Sequence, residues 1–409
     1  MIKQLRCNLR DNSIDVKPEW ELVQEFTKQT LDRVPAVTPV FMGTKKECGD
    51  INLFDRAWDR ASAKKPKALK VFEGKTFEES LFDDPIMVDL IEKEVADIYT
   101  TDVIAAAIMC STKSNYSWDI EVKKFGSQIF IDKRQEDDED DKQQQRNILD
   151  YDTVCETSLD HQPSDDQSIN GIWPLMKEAR QISDSFLHYA HSTDISQTVR
   201  LEDENPFIED ENQVATRVGY HYNVWKLQEA DEATGQKEKK ICIRCSVHSH
   251  TGIDKADGES KQTMNIYSMT EHNQDISNWR MRIDTAIIPC INKEIQNNSF
   301  KVSRWLIQSM LAQVDVMKFA FVSRKAMDDN KKHVVLATHT VQTTSWAKQL
   351  NLQMNEMWSK LRYVVDLIEK DDPASQANEY IMLKDFNKLA FRLYKKDLEE
   401  DDEDEDEEN

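Results

Sequence analysis

A set of residues in the second quarter of the chain has the side-chain types that nucleotide recognition requires. Such recognition needs flat faces for base stacking, basic groups for phosphates and a carboxylate for the ring N–H groups. A guanine methylated at N7 also carries positive charge, so aromatic faces attract it through cation–π interaction. The residues with these properties are Asp102, Tyr116, Trp118, Lys133 and Arg134.

The same residues also have purely structural interpretations. Thr101 or Asp102 is placed to cap a predicted helix. Trp118 lies in an alternating strand pattern and can pack in the core, while Lys133 and Arg134 can simply end a strand in water. The residue types alone leave contact with RNA and a structural role both open.

A second pattern, Cys242 and Cys245 followed by His248 and His250, contains residue types that bind zinc. The segment "KICIRCSV" is predicted to be a strand, however, in which residues three apart point to opposite faces. Two ordinary strand cysteines are therefore the favoured interpretation.

Motifs for catalysis are missing from the sequence. It contains no nucleophile elbow, kinase or P-loop pattern, and no local Ser-His-Asp or Cys-His arrangement. A metal-dependent nuclease needs several carboxylates around one cation, and no paired acids follow a predicted strand outside the acidic runs. The sequence thus predicts no catalytic residue, metal or cofactor.

The chain is acidic, but its charge is unevenly distributed. Of 409 residues 53 are basic and 76 acidic, which gives a net charge of −23. Eleven acids lie within 397–408 and six more within 136–141; without these 17, the balance is −6. A local basic groove therefore remains possible, and the tail 397–409 is expected to be disordered.

Seven scattered cysteines indicate a reducing compartment. No apolar run is long enough for a membrane span, and the first residues lack the apolar core of a signal peptide. We expect a soluble protein of the cytosol or nucleus.

Hydrophobic periodicity predicts an α+β fold with mixed sheets and flanking helices. After an arm at 1–17, we expect one domain over 18–396. Its predicted helices are residues 18–33, two within 83–112 with an apolar stripe from Met87 to Ile98 on the first, 174–190, 297–313 and 351–370. Its predicted strands are residues 116–122, 128–134, 215–227, 240–247, 316–324 and 333–341, with a hairpin at 379–396. The strand at 116–122 is expected to be half-buried.

Many blocks of the sequence, taken in order, resemble the d subunit of eukaryotic translation initiation factor three. They are "TDVIAAAIMCSTKSNYSWDI", "FGSQIFIDKR", "TVCETS", "NPFIED", "WKL", "NNSFKVSRW", "HVVLATHT", "NLQMNEMWSKLR", "LKDFNKLAFRLY" and the acidic C-terminus. The resemblance covers the chain from about residue 14 to its end. The family also carries a long basic N-terminal extension, and this chain begins where that extension ends.

The resemblance implies a fold similar to that of the decapping exonucleases, with binding of the mRNA 5′ cap instead of its cleavage. It implies a cytoplasmic protein whose partners are capped mRNA, the other subunits of the factor and, through them, the small ribosomal subunit. Two alternatives remain: a 5′-end RNA pyrophosphohydrolase of the same fold, and a scaffold subunit that does not bind the cap.

The resemblance also assigns roles to residues. Its cap-binding positions fall on Asp102, Asn115, Tyr116, Arg180, Ser183 and Asp184, and Lys133 with Arg134 would contact the RNA backbone. Only Asp102 and Tyr116 match the family residue for residue, and Asp184 would repel a phosphate.

Two further short motifs align with the metal site of the related enzymes. They are Ser246-Val-His248 and Glu294-Ile-Gln296, expected on two successive strands, and only Glu294 keeps an expected ligand. The segment with Trp305, Gln308 and Ser309 also resembles those enzymes. One carboxylate cannot hold the metal cluster that hydrolysis needs.

In the family, a segment after the "DKR" strand covers the RNA channel as a gate. Here it consists of Ile148, Leu149, Asp150, Tyr151, Asp152, Thr153, Val154, Cys155, Glu156, Thr157, Ser158, Leu159, Asp160, His161 and Gln162. The acidic run at 135–147 resembles an insertion ahead of it. We hypothesise that this run competes with RNA phosphates for Lys133 and Arg134, although a solvated loop without a role is the alternative.

Overall fold

The computed structural model of the chain describes residues 13–77, 79–134, 149, 153–154, 168–208, 214–229, 237–255, 258, 260–371, 377–386 and 388–396. The expectations for 135–147 and for the tail 397–409 concern residues outside these ranges. The same holds for residues 1–12 of the arm and for the gate apart from Leu149, Thr153 and Val154.

The described strands form one continuous mixed sheet. They are β1 (Glu21–Thr27), β2 (Val40–Leu53), β3 (Lys67–Leu69), β4 (Ile98–Thr101), β5 (Trp118–Phe125), β6 (Gln128–Asp132), β7 (Val199–Arg200), β8 (Gly219–Gln228), β9 (Lys239–Val247), β10 (Ser249–Asp254), β11 (Lys261–Glu271), β12 (Val316–Arg324), β13 (His333–Gln342), β14 (Ala377–Lys384) and β15 (Ala390–Lys395).

The described α-helices cover both faces of this sheet. They are α1 (Lys28–Leu31), α2 (Pro85–Glu92), α3 (Asp102–Met109), α4 (Ile172–Tyr189), α5 (Trp279–Arg282), α6 (Ile287–Asn297), α7 (Ser299–Leu311), α8 (Thr343–Gln349) and α9 (Met354–Lys370).

Strand β2 joins the two halves of the sheet. The strand order is β1-β15-β14-β5-β6-β4-β9-β8-β2-β10-β11-β12-β13-β3, with β7 also paired to β2. Along this path β4 runs parallel to β6 and β9, and β11 runs parallel to β12, while the long β2–β8 pair is antiparallel. Gly43 and Gly49 take φ values of +103° and +85° in β2, where the left-handed backbone bends the strand. The mixed sheet with flanking helices confirms the predicted α+β fold class.

Three apolar layers hold the helices to the sheet. Helices α3, α7 and α9 share the largest cluster with β5, β9 and β12. Helix α2 packs over Tyr99, Phe130 and Tyr222 on the other face. Helix α4 buries Ile182 and Phe186 against β11, β12 and β13. Cys242 and Cys245 of β9 fall into different clusters, which confirms that the two thiols diverge.

The predicted helix at 18–33 is wrong over most of its length. Residues Glu21–Thr27 form β1 instead, paired antiparallel with β15 so that Phe26 lies opposite Phe391. Only Lys28–Leu31 is helical. A strand edge supplied by residues more than 360 positions away overrides the local periodicity, as tertiary pairing often does.

Two further expectations need correction. The first helix of the 83–112 pair ends at Glu92, and Ile98–Thr101 forms the fully buried strand β4 instead of continuing the stripe. The strand at 118–125 is buried on both faces, not half-buried. Its polar residues are paired there: Asp119 with Arg134, and Glu121 with Lys396.

The other predicted helices and strands appear within a few residues of their expected positions, including α4, α7, α9 and the β14–β15 hairpin. Thr101 is the residue that caps α3, since its Oγ accepts from the Ile104 N–H. Among the described residues, no helix has the length and apolar character needed to cross a membrane.

Candidate functional site

A cleft of about 230 Å³ opens between the start of α3, one face of α4, helix α7, the end of β9 and the middle of β11. Asp102, Lys133, Arg180, Ser183 and Asp184 all line it. The sheet topology thus brings together five residues that the sequence placed in one site, although up to 82 positions separate them.

Asp102 lies at the base of the cleft as the first residue of α3. Its Oδ2 accepts the Ser246 N–H at 3.0 Å and faces the Ser246 hydroxyl at 3.3 Å. Burial raises the pKa of this carboxyl to about 6, against the opposing effects of the Ser246 N–H and the Arg244 charge. At neutral pH most of the carboxylate is ionised and can accept the N–H groups of a base.

Helix α4 presents Arg180, Ser183, Asp184 and Leu187 on one face because residues three and four apart share a side of a helix. Arg180 Nε donates to both carboxylate oxygens of Asp184, at 2.9 and 3.0 Å. An incoming phosphate must therefore compete with Asp184 for the guanidinium. The expected repulsion from Asp184 is offset by this ion pair.

A buried cluster behind the cleft fixes α4 in place. Glu178 accepts Arg324 Nε at 2.8 Å and lies 2.8 Å from His333 Nε2. Arg324 also donates to Asn170 Oδ1 and to the Ile169 carbonyl just before α4. Burial alone would raise the pKa of Glu178, but the bonds from Arg324 and His333 outweigh it and lower the pKa. The helix is thereby held against the β12–β13 hairpin.

The structure does not place Tyr116 or Asn115 in the cleft. Tyr116 is fully buried in the largest apolar cluster. Asn115, next to it, is half-buried and is absent from the cleft lining. The expectation that Tyr116 offers a ring face to a base is therefore wrong, because none of its surface is exposed.

Of the two predicted RNA-backbone residues, only Lys133 reaches the cleft. Arg134 Nε donates to the fully buried Asp119 at 2.8 Å. Arg134 thus lies in a buried ion pair just after β6, and it does not end the strand in water as the structural alternative had expected.

Arg244 is a cleft residue that the sequence reasoning missed. Its Nη1 lies 2.9 Å from Asp84, which also caps α2 and accepts the Tyr222 hydroxyl. A second bond to the Glu79 carbonyl and the ring of Phe207, 5.3 Å away, complete its surroundings. A charged residue within the apolar stretch from Ile241 to Cys245 was the available signal.

Aromatic rings also line the cleft. Tyr267 stacks on Trp305 with ring centres 4.7 Å apart and an angle of 15° between the planes. The Tyr267 hydroxyl lies 3.1 Å from the Trp305 carbonyl and 3.2 Å from Ser309 Oγ. Both rings belong to the cleft lining, with 8% of Tyr267 and 3% of Trp305 exposed.

The predicted metal-motif positions separate in the structure. Ser246 and His248 line the cleft at the end of β9, and burial lowers the pKa of His248 to about 4, so it is neutral. Glu294 lies on helix α6 instead of a strand, where it is buried and accepts Asn298 Nδ2 at 3.0 Å. The placement of Glu294-Ile-Gln296 on a strand was wrong, because Ile287–Asn297 forms helix α6.

The cleft carboxylates are held apart by separate partners. Asp132 accepts the Leu81 and Lys133 N–H groups, and Glu79 pairs with Lys75 at 3.2 Å. Across the described ranges no three His, Cys, Asp or Glu residues come together in a way that could hold a metal ion.

Three residues of the predicted gate are described, and all three are buried. Leu149 lines the cleft, and Val154 packs on Leu175 and Ala179 of α4. The assignment of 148–162 as a gate stays a prediction.

Solved structures with a similar fold include those of Rai1. Rai1 of Scheffersomyces stipitis, bound to 3′-NADP⁺ and calcium, matches with a TM-score of 0.54 and 12% identity over 93% of both chains. Rai1 of Candida albicans, bound to pU5 and Mn²⁺, matches with a TM-score of 0.50 and 12% identity over 97% of this chain and 94% of that one. These likenesses confirm the predicted decapping-exonuclease type of fold.

The sequence matches the family of "Eukaryotic translation initiation factor 3 subunit 7 (eIF-3)" over residues 2–395. Proteins of Drosophila yakuba and Drosophila melanogaster, each named as the D-1 subunit of eukaryotic translation initiation factor 3, are 31% identical to it over 397 residues. The match covers 94% of this chain and 65% of the length of these relatives. The chain therefore belongs to the family of this initiation-factor subunit.

Proposed function

We propose that this chain binds the capped 5′ end of mRNA in the cleft around Asp102, as a cytoplasmic subunit of initiation factor 3. The observation that carries the proposal is the composition of the cleft. One cavity joins a carboxylate at its base, the cations Lys133, Arg180 and Arg244, and the stacked pair Tyr267–Trp305. Family membership supports the role in initiation.

Each part of a cap has a chemical counterpart in the cleft. The Asp102 carboxylate accepts the N1 and N2 hydrogens of guanine, and its negative charge favours the positive ring that N7 methylation creates. Lys133 and Arg180 line the cleft and would contact the triphosphate. Arg180 would then donate its hydrogen bonds to phosphate oxygens instead of to Asp184. The aromatic rings supply apolar and stacking surface.

Binding without cleavage is favoured by the residues at the end of β9. Hydrolysis at a metal centre needs converging carboxylates, whereas these positions carry Ser246 and the neutral, half-buried His248. Ser246 is engaged with Asp102, and His248 contacts the backbone of Ile266. We therefore assign the chain a binding role.

The gate at 148–162 would control entry to this cleft. Its described residues Leu149 and Val154 lie against the cleft and α4, which is the position that such a role requires. The acidic run at 135–147 would compete with RNA for Lys133. Deletion of 135–147 should then raise the affinity for capped RNA and change its salt dependence; an unchanged affinity and salt slope would reject this part of the proposal.

The test of the proposed function is a binding titration with one RNA in capped and uncapped form. The capped RNA should bind more tightly, and Asp102→Asn should abolish the difference. Asp89→Asn, at an exposed carboxylate paired with Lys93 on α2, is the control and should leave the difference intact. Metal-dependent release of product from capped RNA would instead indicate the pyrophosphohydrolase. Equal, weak binding of both RNAs together with co-purification of other factor subunits would indicate the scaffold.

A further inference from the structure

We propose that the RNA leaves the cleft along a basic surface at the far edge of the sheet, formed by Arg60, Lys64, Lys65 and Lys70. We call this surface the basic edge. The inference rests on the proposed function, because it extends the RNA contact from the cleft to the nucleotides that follow the cap.

The basic edge departs sharply from the charge of the rest of the chain. Between Asp55 and Lys75 there are seven basic residues and three acidic ones, in a protein with a net charge of −23. Two of these acids have partners outside the basic edge. Asp55 accepts the Ala57 N–H at 2.8 Å, and Asp59 forms an ion pair with the buried Lys318. Such a local excess of positive charge attracts a polyanion whatever the net charge.

The four cations of the basic edge are available to a ligand. Arg60, Lys64, Lys65 and Lys70 are all exposed, and within the described chain none of them forms an ion pair. Lys46, by contrast, is paired with Asp203. Cations that have not been neutralised by the protein can release counterions when phosphates bind.

A rigid segment connects the basic edge to the cleft. This strap, residues 70–77, begins at Lys70 and ends at Thr76 and Phe77, which line the cleft. Phe72 fixes it to the outer side of α4: its N–H donates to Ser185 Oγ at 3.0 Å, and its carbonyl accepts Gln181 Nε2 at 2.8 Å. The strap thus runs beside the helix whose other face carries Arg180.

Further contacts hold the strap in its position beside α4. The Phe72 ring stacks on His188 with centres 4.1 Å apart. Lys75 exchanges backbone hydrogen bonds with Val214 and Thr216, at 2.9 and 3.0 Å. At Gly74 an added Cβ would lie 2.3 Å from the Val214 carbonyl oxygen, so this close approach requires glycine.

The length of the strap sets the distance that the RNA has to cover. Thr76 is six positions after Lys70, so their Cα atoms are at most about 21 Å apart. A short single strand held in the cleft by its cap can therefore place its next phosphates on Lys70 and then on Lys65 and Lys64. Single-stranded RNA is commonly bound along basic grooves of this kind.

Lysines that flank an edge strand, as Lys65 and Lys70 flank β3, can also serve to prevent pairing with a second sheet. Lysines that act only in this way would not contribute to the affinity for RNA. A comparison of ligand lengths therefore separates the two roles.

The experiment titrates the full chain with a cap dinucleotide, a capped RNA of about 20 nucleotides and the same RNA without a cap. The variant is Lys64→Gln/Lys65→Gln/Lys70→Gln. The control is Lys28→Gln/Lys293→Gln/Lys348→Gln, which removes the same charge from exposed positions outside the cleft and the basic edge.

We expect the variant to bind the long RNA roughly ten- to fiftyfold more weakly at 0.15 M salt, with a salt slope smaller by about 2, while binding of the dinucleotide is unchanged. The control should match the unsubstituted chain. Variant and control affinities that agree for the long RNA would overturn the proposal, as would an equal loss for dinucleotide and long RNA.

The remaining outcomes distinguish this inference from the proposed function and from binding of the basic edge by the chain's own acidic tail. If capped and uncapped RNA bind equally but the variant still loses affinity, cap recognition fails and the basic edge stands as an RNA surface. If removal of 397–409 strengthens RNA binding and abolishes the effect of the variant, the acidic tail occupies the basic edge, and the inference is overturned.

Discussion

Replacement of Glu178 by alanine should destabilise the protein strongly, because it leaves two basic groups without their counter-charge in the interior. The side chains of Arg324 and Glu178 are 0% and 2% exposed. Without Glu178, Arg324 keeps only carbonyl partners, and His333 loses its bond of 2.8 Å. Breaking a buried ion pair from one side costs about 3–5 kcal/mol.

The assay is urea denaturation at pH 7, followed by fluorescence and circular dichroism. The matched control is Asp89→Ala, which breaks an ion pair whose side chains are 63% and 42% exposed and should change the free energy of unfolding by less than about 1 kcal/mol. The cost at Glu178 should also fall as the pH drops below about 4. The lowered pKa of this group contributes stability only above its unfolded-state value, near 4.3, and the contribution disappears as the carboxylate is protonated.

A cost at Glu178 no larger than that of the control would refute the reasoning, because the buried cluster would then not hold α4. The variant should further weaken binding of capped RNA, since α4 carries Arg180 and Ser183 into the cleft. Strong destabilisation with unchanged RNA affinity under native conditions would show that the cluster stabilises the fold without positioning the cleft.

Three further outcomes follow from the same contacts. Affinity for a cap dinucleotide should fall about tenfold per pH unit below pH 6, because the bound guanine needs an ionised Asp102; a flat profile in a titration from pH 7.5 to 5 would contradict this. Glu294→Gln should raise the free energy of unfolding by up to about 3 kcal/mol at pH 8, with a difference that vanishes near pH 4.5, since burial raises the pKa of Glu294 to about 7 and its ionisation disfavours the folded state. Gly74→Ala should lower the thermal midpoint by several degrees, because the added methyl group meets the Val214 carbonyl; an unchanged midpoint would show that the strap can yield.

Hydrophobic periodicity in the sequence predicted those helices and strands whose buried residues recur at the spacing of the helix or strand itself. Helices α4 and α9 carry long apolar stripes, and strand β9 is recognisable by its branched residues. Strand β1 could not be predicted in this way, because it is stabilised by backbone bonds to β15 and only Phe26 of its seven residues is buried. Strand β4 is too short to show a repeat.

The candidate site was predictable in part, for a similar reason. Asp102, Lys133 and the α4 residues were reached through local motifs and a resemblance, and the cleft brings them together. Tyr116 was misjudged because its sequence neighbours do not reveal that the fold buries it completely in the largest apolar cluster. The role of Arg244 depends on Asp84, 160 positions earlier, a pairing that only the folded sheet creates.

The most direct test of cap recognition in this cleft is a crosslinking map. A capped RNA with a photoreactive group on its terminal guanine is irradiated with the full chain, and the modified peptides are identified by mass spectrometry. We predict crosslinks in residues 101–104, 180–187 and 301–309, which are lost when excess methylated cap dinucleotide is present. Crosslinks confined to peptides away from the cleft, or undiminished by the dinucleotide, would contradict the account.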